Sequence, residues 1–362
     1  MKWFIHILTS ALPWRIQRFL RIVTDVQENL GNPLLDSRVV AATCVRPAVA
    51  ESYGAFPIKT RWARVGGGFE PRYVYQLKDA EVVVENGLVS LDGHVIAESI
   101  GDHANATVAA VGWRLSRPFV RNERLDCDCE YALLRRDGYF HFVMEPLVEL
   151  LYALQVNPNA CVMVTEEDYR GYYRGYVELL QRRGVVKAVR KVRSSVLSVP
   201  RLIMAAAEQD AGMFCRETVD LLRKTFLAGL PPMTANRKIF LTRKGRRRFG
   251  NQEELERIAT SKGYEVIDTD GMGISEQIDL FRSATHIASN HGAGLTNLVY
   301  ANPGTQVLEL FSPKWLNDCY FRLSSICKLD YECLVAANGG QWGVLDADEF
   351  AGKLKSEDGR VS

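Results

Sequence analysis

The sequence of 362 residues contains no apolar run long enough to cross a bilayer, no internal repeat and no low-complexity tract. These absences argue against a transmembrane span and a repeat architecture. Neither sign of charge is in excess, because 45 Lys and Arg residues face 43 Asp and Glu residues, giving a net charge of +2. A protein that binds polyanions over its whole surface is therefore not expected, and strong positive potential must be local.

Metal-binding cysteine pairs are also missing. The eight cysteines show no paired zinc spacing, and Cys127-x-Cys129 alone is a weak signal. No cleavable secretory signal is evident, so we expect reduced thiols in a cytoplasmic protein. The length, apolar fraction and charge content are ordinary for a soluble enzyme of two domains.

A glycine-rich corner lies where an apolar run meets a helix-like segment at residues 295–300. Its residues are His291-Gly292-Ala293-Gly294-Leu295-Thr296-Asn297. At a strand-to-helix corner, backbone N–H groups converge on an anion, glycines let a ligand approach the backbone, and a histidine adds a titratable donor. The corner therefore predicts a phosphate site. The alternative is a tight turn in which His291 caps a carbonyl group.

Strand and helix patterns alternate around this corner. Strands are predicted at 238–242, 264–267, 285–289 and 305–310, and helices at 251–262 and 274–282. This alternation predicts a parallel, doubly wound sheet, and the ligands of such sheets bind at the carboxyl ends of the strands. Arg243, His291 and Glu309 all fall at or just after predicted strand ends.

A second feature is the basic run Arg243-Lys244-Gly245-Arg246-Arg247-Arg248, which follows the first of these strands. Alone, a basic run usually forms a solvated or nucleic-acid-seeking face. Here a strand and a helix bracket the run, so it lies on the same sheet edge as the corner, where guanidinium groups can hold a diphosphate. We expect Arg243 and Arg248 to contact the phosphates. The other three cations, Lys244, Arg246 and Arg247, could equally face water.

Five segments occur in a fixed order in this region. They are Leu241-Thr242-Arg243, Arg248-Phe249-Gly250-Asn251, Ile274-Ser275-Glu276-Gln277-Ile278, the glycine corner and Val307-Leu308-Glu309-Leu310. Upstream of them lies Gly138-Tyr139-Phe140-His141-Phe142-Val143-Met144-Glu145-Pro146-Leu147. Together these segments resemble glycosyltransferase family 61, which includes bacterial capsular polysaccharide biosynthesis proteins. The resemblance covers residues 138–313 and is strongest after Ile239.

The resemblance implies an α/β fold of the GT-B type, with two Rossmann-like domains facing a cleft. The C-terminal half would hold a nucleotide-sugar donor as co-substrate, and the N-terminal half would hold a glycan or lipid-linked acceptor. Similar enzymes are typically inverting and need no metal ion. Asp126-x-Asp128 has the spacing of a metal-diphosphate site, but no strand clearly leads into it, and no metal site is expected.

An inverting transfer needs a base that takes the proton of the acceptor hydroxyl. His141 and Glu145 lie four residues apart, so a helix at 140–154 would project both from one face. Their spacing alone favours a simpler interpretation, with His141 bonded to a buried polar partner and Glu145 as surface charge. The family resemblance reverses this preference, and we expect both residues to be catalytic. Which of the two is the base stays open.

Four further side chains complete the expected donor site. Glu309 is predicted to accept hydrogen bonds from a ribose diol, or else to be a capping or salt-bridged residue. Gln277 is expected to reach the nucleobase or to face solvent. Asn297 would contact the donor or cap the helix after the glycines. Asn251 is the N-cap candidate of the helix at 251–262 and is included in the donor site.

The chain divides into four predicted segments. Residues 1–30 mix aromatic and basic side chains, and they form either an amphipathic helix on the inner face of an anionic membrane or a helix packed on the next domain. Residues 31–230 would form a β-rich portion leading into an acceptor-side domain. Pro231-Pro232 marks the boundary to a donor-binding domain at 231–340, and 341–362 would form a tail or helix.

The main interpretation is a cytoplasmic glycosyltransferase of surface polysaccharide biosynthesis that does not bind nucleic acid. Two alternatives stay open. One is a nucleotide-sugar-binding relative without catalysis. The other is a polyanion-binding protein that uses the basic loop at 243–248, whose binding would depend strongly on salt.

Overall fold

The computed structural model describes residues 22–23, 37–58, 64–100, 122–208, 212–245, 247–339 and 342–354. By their contacts these residues form two compact units. The N-terminal unit contains the described residues of Met1–Ala48, Glu70–Asp137 and His141–Met213. The C-terminal unit contains those of Val49–Phe69, Gly138–Phe140 and Phe214–Ser362.

The strands of the described residues are β1 (Ile22–Val23), β2 (Val39–Arg46), β3 (Val49–Ser52), β4 (Gly66–Phe69), β5 (Arg72–Val83), β6 (Val89–Leu91), β7 (His94–Ile96), β8 (Asn122–Arg124), β9 (Tyr131–Leu133), β10 (Cys161–Thr165), β11 (Ala188–Val192), β12 (Val196–Ala205), β13 (Arg237–Leu241), β14 (Glu265–Ile267), β15 (Ala284–Asn290), β16 (Gln306–Phe311) and β17 (Asp330–Val335). The α-helices of the same residues are α1 (Tyr139–Met144), α2 (Pro146–Val156), α3 (Gly171–Arg182), α4 (Arg216–Leu227), α5 (Gln252–Ser261), α6 (Ile274–Ser283), α7 (Cys319–Cys327) and α8 (Ala347–Lys353). A 3-10 helix at Ala293–Tyr300 follows the glycine corner and is called the corner helix below.

The C-terminal unit is built on a five-stranded parallel sheet in the order β14-β13-β15-β16-β17. The chain leaves β13 toward one edge, returns past it to β15 and then continues outward. The strand order therefore reverses between β13 and β15, and such a reversal is where doubly wound sheets bind their ligands.

Apolar strands in this sheet reflect burial on both faces. In β13, Ile239, Phe240 and Leu241 are all buried. Phe240 lies on the face covered by α5 and α8, where its ring centroid is 5.9 Å from that of Phe350. Helices α4, α6 and α7 all contact the corner helix. Arg223 of α4 donates to the carbonyl groups at the end of that helix.

The N-terminal unit is built on a mixed sheet of ten strands in the order β1-β7-β6-β5-β12-β9-β10-β11, with β2 on β5 and β8 on β12. The long strands β5 and β12 run antiparallel, whereas β12, β8, β9, β10 and β11 pair in parallel. The side chains of Tyr75, Met163 and Leu202 are buried in its core. The α/β fold class is thus confirmed, and the parallel order expected of a Rossmann-like domain covers part of this sheet.

Two predicted helices differ from the structure. The helix predicted at 140–154 is two helices, α1 and α2, which are separated at Glu145 with φ −123° and ψ −85°. Pro146 explains the break, because proline disfavours the helical conformation of the residue before it. The segment predicted as a helix at 295–300 is a 3-10 helix that begins earlier, at Ala293.

The border between the units also differs from the predicted domain boundary. Along the chain, the main change of unit comes between Met213 and Phe214, not at Pro231-Pro232. The proposed membrane segment at 1–30 lies outside the described residues, apart from Ile22–Val23. Within the described ranges, no helix combines the length and the apolar character that crossing a membrane requires.

Candidate active site

The reversal between β13 and β15 brings Arg243 and the glycine corner together. Arg243 Nη1 donates to the carbonyl oxygen of His291 at 3.2 Å. A Cβ atom added to Gly292 would lie 1.6 Å from Nη1 of Arg243, so this glycine is needed where the guanidinium crosses the backbone. We predicted that a ligand could approach the backbone at Gly292, whereas in the structure the Arg243 guanidinium occupies that space. At Gly294 the nearest atom to an added Cβ is Thr269 Oγ1 at 3.7 Å, which is ordinary contact.

The start of the corner helix supplies backbone donors beside Arg243. The first backbone amide of this helix with a hydrogen bond to the corner is that of Leu295, which donates to the Gly292 carbonyl at 3.0 Å. The amides of Ala293 and Gly294 lie in the first turn of this helix, where N–H groups have no partner within the helix. Ala293 and Gly294 are half-buried, and Leu295, Thr296 and Asn297 are buried. The two half-buried residues are therefore the part of the corner that a ligand can reach.

His291 is held by a buried carboxylate. Its Nδ1 lies 2.5 Å from Glu309 Oε1, and the Tyr331 hydroxyl donates to Glu309 Oε2 at 2.5 Å. The imidazole lies between Phe311 and Tyr320, with ring centroids at 5.1 and 5.3 Å. Because Nδ1 is engaged, a ligand of this ring would have to meet Nε2. Glu309 has no exposed surface, so its contacts match the salt-bridged alternative and not the role of ribose acceptor.

Burial and the charge of Glu309 raise the pKa of the Tyr331 hydroxyl well above its usual range. Tyr331 therefore stays protonated and donates to Glu309 at all physiological pH values. With both carboxylate oxygens engaged, Glu309 orients His291, as carboxylates behind histidines do in other sites.

The cations of the basic loop divide into two kinds. Lys244 lies 2.8 Å from Asp268, and Arg248 lies 2.9 Å from Glu253, both in exposed ion pairs. Arg243 and Arg247 form no ion pair with a carboxylate anywhere in the described part of the chain. Burial and then the charge of Arg247 lower the pKa of the Arg243 guanidinium.

This division changes the predicted set of phosphate-binding residues. Arg248, which we expected to face the phosphates, is exposed and paired with Glu253. Arg247, which the sequence left undecided, lies instead with its guanidinium over the rings of Trp315 and Trp342, at 5.3 and 5.7 Å from their centroids. Arg246 lies outside the described residues.

The amide side chains predicted to contact the donor are engaged with protein groups. Asn297 Nδ2 donates to Gln277 Oε1 at 2.8 Å, and the Tyr139 hydroxyl donates to Asn297 Oδ1 at 2.7 Å. Gln277 Nε2 donates to the Met272 carbonyl at 2.9 Å. Gln277, Asn297 and Tyr139 therefore form one polar network that fixes the corner helix against α6. The sequence did not predict a role for Tyr139, which lies two residues before His141.

Asn251 stands at the N-cap position of α5, as predicted, but its side chain does not cap the helix. It instead clamps Leu345, donating from Nδ2 to the carbonyl at 2.8 Å and accepting from the amide at 3.2 Å. These contacts tie α5 to the segment before α8 and leave little of the side chain for a ligand.

His141 and Glu145 meet in the N-terminal unit. His141 Nδ1 lies 2.7 Å from Glu145 Oε1, which also accepts from the Gly212 amide at 2.8 Å. The His141 side chain is 45% exposed and that of Glu145 12%. Arg135 Nη2 approaches Glu145 Oε2 at 4.0 Å and Glu149 Oε1 at 3.5 Å. The structure thus joins the two predicted catalytic residues into an accessible imidazole backed by a buried carboxylate.

The two groups of this pair shift each other's pKa in opposite directions. The hydrogen bond with Glu145 and its negative charge raise the pKa of His141 against the effect of burial. Burial disfavours the charge of Glu145, but the hydrogen bond and charge of His141, with the Gly212 amide, lower the pKa of the carboxyl. Near neutral pH the pair is therefore biased toward imidazolium and carboxylate.

Groups of three or more His, Cys, Asp or Glu side chains that could hold a metal ion do not occur in the described ranges. Asp126 and Asp128, which have metal-binding spacing, are exposed, and Asp126 accepts a hydrogen bond from the Tyr131 hydroxyl.

Comparison with known proteins identifies the family. The family model described as Glycosyltransferase 61 matches residues 139–308. No curated protein matches the chain. The matched residues include the His141–Glu145 pair, Arg243 and the glycine corner, and they end one residue before Glu309. Residues 139–308 therefore form a domain of glycosyltransferase family 61, a family of enzymes that transfer sugars.

Proposed function

We propose that the protein is an inverting, metal-independent glycosyltransferase. It takes a hexosyl or pentosyl group from a nucleotide-sugar and transfers it to a glycan or lipid-linked acceptor in the biosynthesis of a surface polysaccharide such as capsule or lipopolysaccharide. The observation that carries the proposal is the Arg243 guanidinium beside His291 at the strand-order reversal, with no carboxylate at ion-pair distance in the described part of the chain.

The leaving diphosphate is the group that this corner suits. Its negative charge grows as the bond to the sugar breaks, and a fixed guanidinium with nearby backbone amides stabilises that charge without reorganising. Half-buried Arg243 acts more strongly than an exposed cation, because partial exclusion of water strengthens its attraction to phosphate. The corner thereby takes over the neutralising role that a metal ion has in other glycosyltransferases.

The His141–Glu145 pair supplies the base. The acceptor hydroxyl oxygen attacks the anomeric carbon while the bond from that carbon to the diphosphate oxygen breaks and its electron pair leaves with the nucleotide. The hydroxyl proton passes to His141 Nε2 or to Glu145. Glu145 holds Nδ1 of the imidazole, which favours His141 as the acceptor of the proton.

The architecture and location belong to the same proposal. A GT-B-like fold is supported by the all-parallel sheet of the C-terminal unit. A cytoplasmic protein with peripheral contact at the inner membrane face would suit a lipid-linked acceptor. The polyanion-binding alternative is disfavoured by the exposed ion pairs of Lys244 and Arg248, which neutralise part of the loop.

The first test is a thermal-shift screen of the full chain against UDP-, GDP-, CMP- and TDP-linked sugars, with and without divalent cations. A ligand that binds the native state raises the unfolding temperature. We expect one nucleotide class to stabilise the protein equally with Mg²⁺ and with EDTA. Arg243→Ala should weaken that binding roughly tenfold or more, since it removes charged hydrogen bonds. Lys244→Ala is the matched control and should bind as the unmodified protein does.

Turnover separates an enzyme from a relative that only binds. His141→Gln should keep the thermal shift with donor but lose nucleotide release in the presence of acceptor. Glu145→Gln should also keep the shift, and its nucleotide release should fall. If the unmodified protein binds a nucleotide-sugar and neither transfers nor hydrolyses it, the non-catalytic alternative replaces the proposal. If no nucleotide-sugar shifts the unfolding temperature, the donor site is wrong.

A further inference from the structure

Arg247 has a backbone conformation that is uncommon for a residue other than glycine, asparagine or aspartate. Its φ is +73°, in the left-handed region that costs an ordinary residue about 1 kcal/mol or more. The other non-glycine residues described with positive φ have local reasons. Asp79 and Asp92 are of a type that tolerates this region, and Lys328 caps the end of α7. Backbone strain of this kind is found where the side chain it directs has a function.

Contacts on both sides hold Arg247 in this conformation. Its carbonyl oxygen accepts a hydrogen bond from Asn290 Nδ2 at 3.3 Å, which ties the loop to the last residue of β15. Its guanidinium lies over the rings of Trp315 and Trp342. The carbonyl bond therefore anchors Arg247 at the end of β15, where the glycine corner begins, and the two indole rings hold its side chain.

The indole rings bind the guanidinium without neutralising it. A cation–π contact uses the flat face of the guanidinium, so the N–H donors around its rim remain available for an anion. Neither Arg247 nor Arg243 has a carboxylate partner in the part of the chain that the structure describes. The two are close enough that the charge of Arg247 lowers the pKa of Arg243. Two fixed cations that repel each other at one loop form a site for an anion with more than one charge.

We propose that Arg247 is the second cation that binds the donor diphosphate, acting with Arg243, and that Arg248 lies outside the site. This inference rests on the proposed function and names the residues of its phosphate subsite. Trp315 and Trp342 position Arg247, whereas Arg248 pairs with Glu253. The ligand class is a nucleoside diphosphate, free or carrying a sugar.

Isothermal titration with UDP, GDP, CDP and TDP, each paired with its nucleoside, tests the assignment. Arg247→Gly removes the guanidinium and suits the backbone, because glycine adopts this φ freely, so the protein should stay folded. We expect it to bind the preferred diphosphate roughly tenfold or more weakly and the nucleoside unchanged. Arg248→Gly is the matched control and should change neither affinity more than about twofold. Arg247→Lys should restore part of the affinity, since it restores the charge without the fork of donors.

The outcomes distinguish this inference from the proposed function. If Arg243→Ala loses diphosphate affinity while Arg247→Gly binds like the unmodified protein, the donor site stands and the role of Arg247 is refuted. If Arg248→Gly loses affinity and Arg247→Gly does not, the original sequence-based choice of Arg248 is right. If the unmodified protein binds none of the four diphosphates, both the inference and the proposed function fail.

Discussion

In the proposed donor site, single residues at the end of β15 control phosphate binding, and Gly292 is the clearest case. A methyl group there would overlap Nη1 of Arg243, the far end of a flexible side chain, so Arg243 would move and the backbone would stay. We expect Gly292→Ala to weaken nucleotide diphosphate binding about as much as Arg243→Ala, with a small change in unfolding temperature. Titration calorimetry and thermal unfolding measure the two effects.

Gly352→Ala in α8 is the control for this prediction, because an added Cβ at Gly352 meets no atom within 4 Å. It should bind nucleotide normally. Equal loss of binding in both variants would mean that the loss does not come from the displacement of Arg243.

The raised pKa of His141 predicts the pH dependence of turnover. A base must be deprotonated, so if His141 is the base, kcat/KM should rise with pH through a limb above its ordinary pKa of 6.5. Glu145→Gln removes the negative partner, so the limb should move to lower pH. If Glu145 is the base instead, its lowered pKa places the limb on the acid side and Glu145→Gln abolishes turnover. The pH–rate profiles of the two proteins distinguish these cases.

The sequence predicted which functional side chains meet only where the order of helices and strands along the chain brings them together. His141 and Glu145 meet because four residues of helix place them together, and His291 and Arg243 meet because their strands are adjacent. Arg247 and Arg248 could not be told apart, because the residues that contact the Arg247 side chain, Trp315 and Trp342, are distant in sequence. Likewise, the sequence does not show that Tyr331 and His291 take both oxygens of Glu309.

At the scale of helices and strands, the stability of the junction between α1 and α2 depends on pH. The fold stabilises charged His141, so its contribution is complete below pH 6.5 and is lost as pH rises through the raised pKa. The fold also stabilises charged Glu145, whose contribution is complete above pH 4.5 and is lost as pH falls through the lowered pKa. The pair therefore stabilises the junction most between these two pH values.

His141→Gln should accordingly lower the free energy of unfolding by about 0.5 kcal/mol in that window, because the imidazole is half exposed. The difference should shrink at alkaline pH. Urea unfolding at several pH values measures it, with Arg174→Gln as control, since it removes an exposed ion pair with Glu178 of the same four-residue spacing. If His141→Gln lowers the free energy of unfolding by the same amount from acid to alkaline pH, the histidine stabilises the fold by packing and not by its charge pair with Glu145.

The clamp between α5 and the segment before α8 predicts a loss of stability without a loss of binding. Asn251→Ala removes two hydrogen bonds to the backbone of Leu345, so the free energy of unfolding should fall by about 1–2 kcal/mol. Nucleotide affinity should be unchanged. Chemical denaturation and titration calorimetry measure both, and a selective loss of affinity would instead return Asn251 to the donor site.

Element patterns were predicted well where apolar periodicity is strong and poorly where it is not. The strands β13 to β16 and the helices α5 and α6 lie within a few residues of their predictions. Strand β17, Asp330–Val335, was missed because polar and charged residues interrupt its apolar run. The break at Glu145 was missed although Pro146 signals it, since the apolar spacing continues across the proline.

Across the whole molecule, each unit has its own sheet and core, so ligand effects should be local. We expect the preferred nucleoside diphosphate to slow amide hydrogen exchange in peptides covering 242–245 and 291–297 of the C-terminal unit. Mass spectrometry of exchange with and without UDP, GDP, CDP or TDP tests this expectation. Protection confined to the ten-stranded sheet of the N-terminal unit would place the nucleotide elsewhere.

The alternation of strands and helices predicted the parallel sheet of the C-terminal unit, because that arrangement follows from local order along the chain. It did not predict that Val49–Phe69 belongs to the same unit. This assignment depends on contacts such as that of Tyr53 with the Phe214 carbonyl, whose partners are far apart in sequence.

The bond from Arg243 to the His291 carbonyl and the contacts of Arg247 with Trp315 and Trp342 hold both arginine side chains before any ligand arrives. Immobilising a long side chain on binding costs roughly 0.5–1.5 kcal/mol of conformational entropy. Because folding already immobilises the two arginine side chains, ligand binding avoids this entropy cost, on the order of 1–3 kcal/mol for both. A donor then encounters a surface already shaped for it, and the affinity it gains is a property of the empty protein.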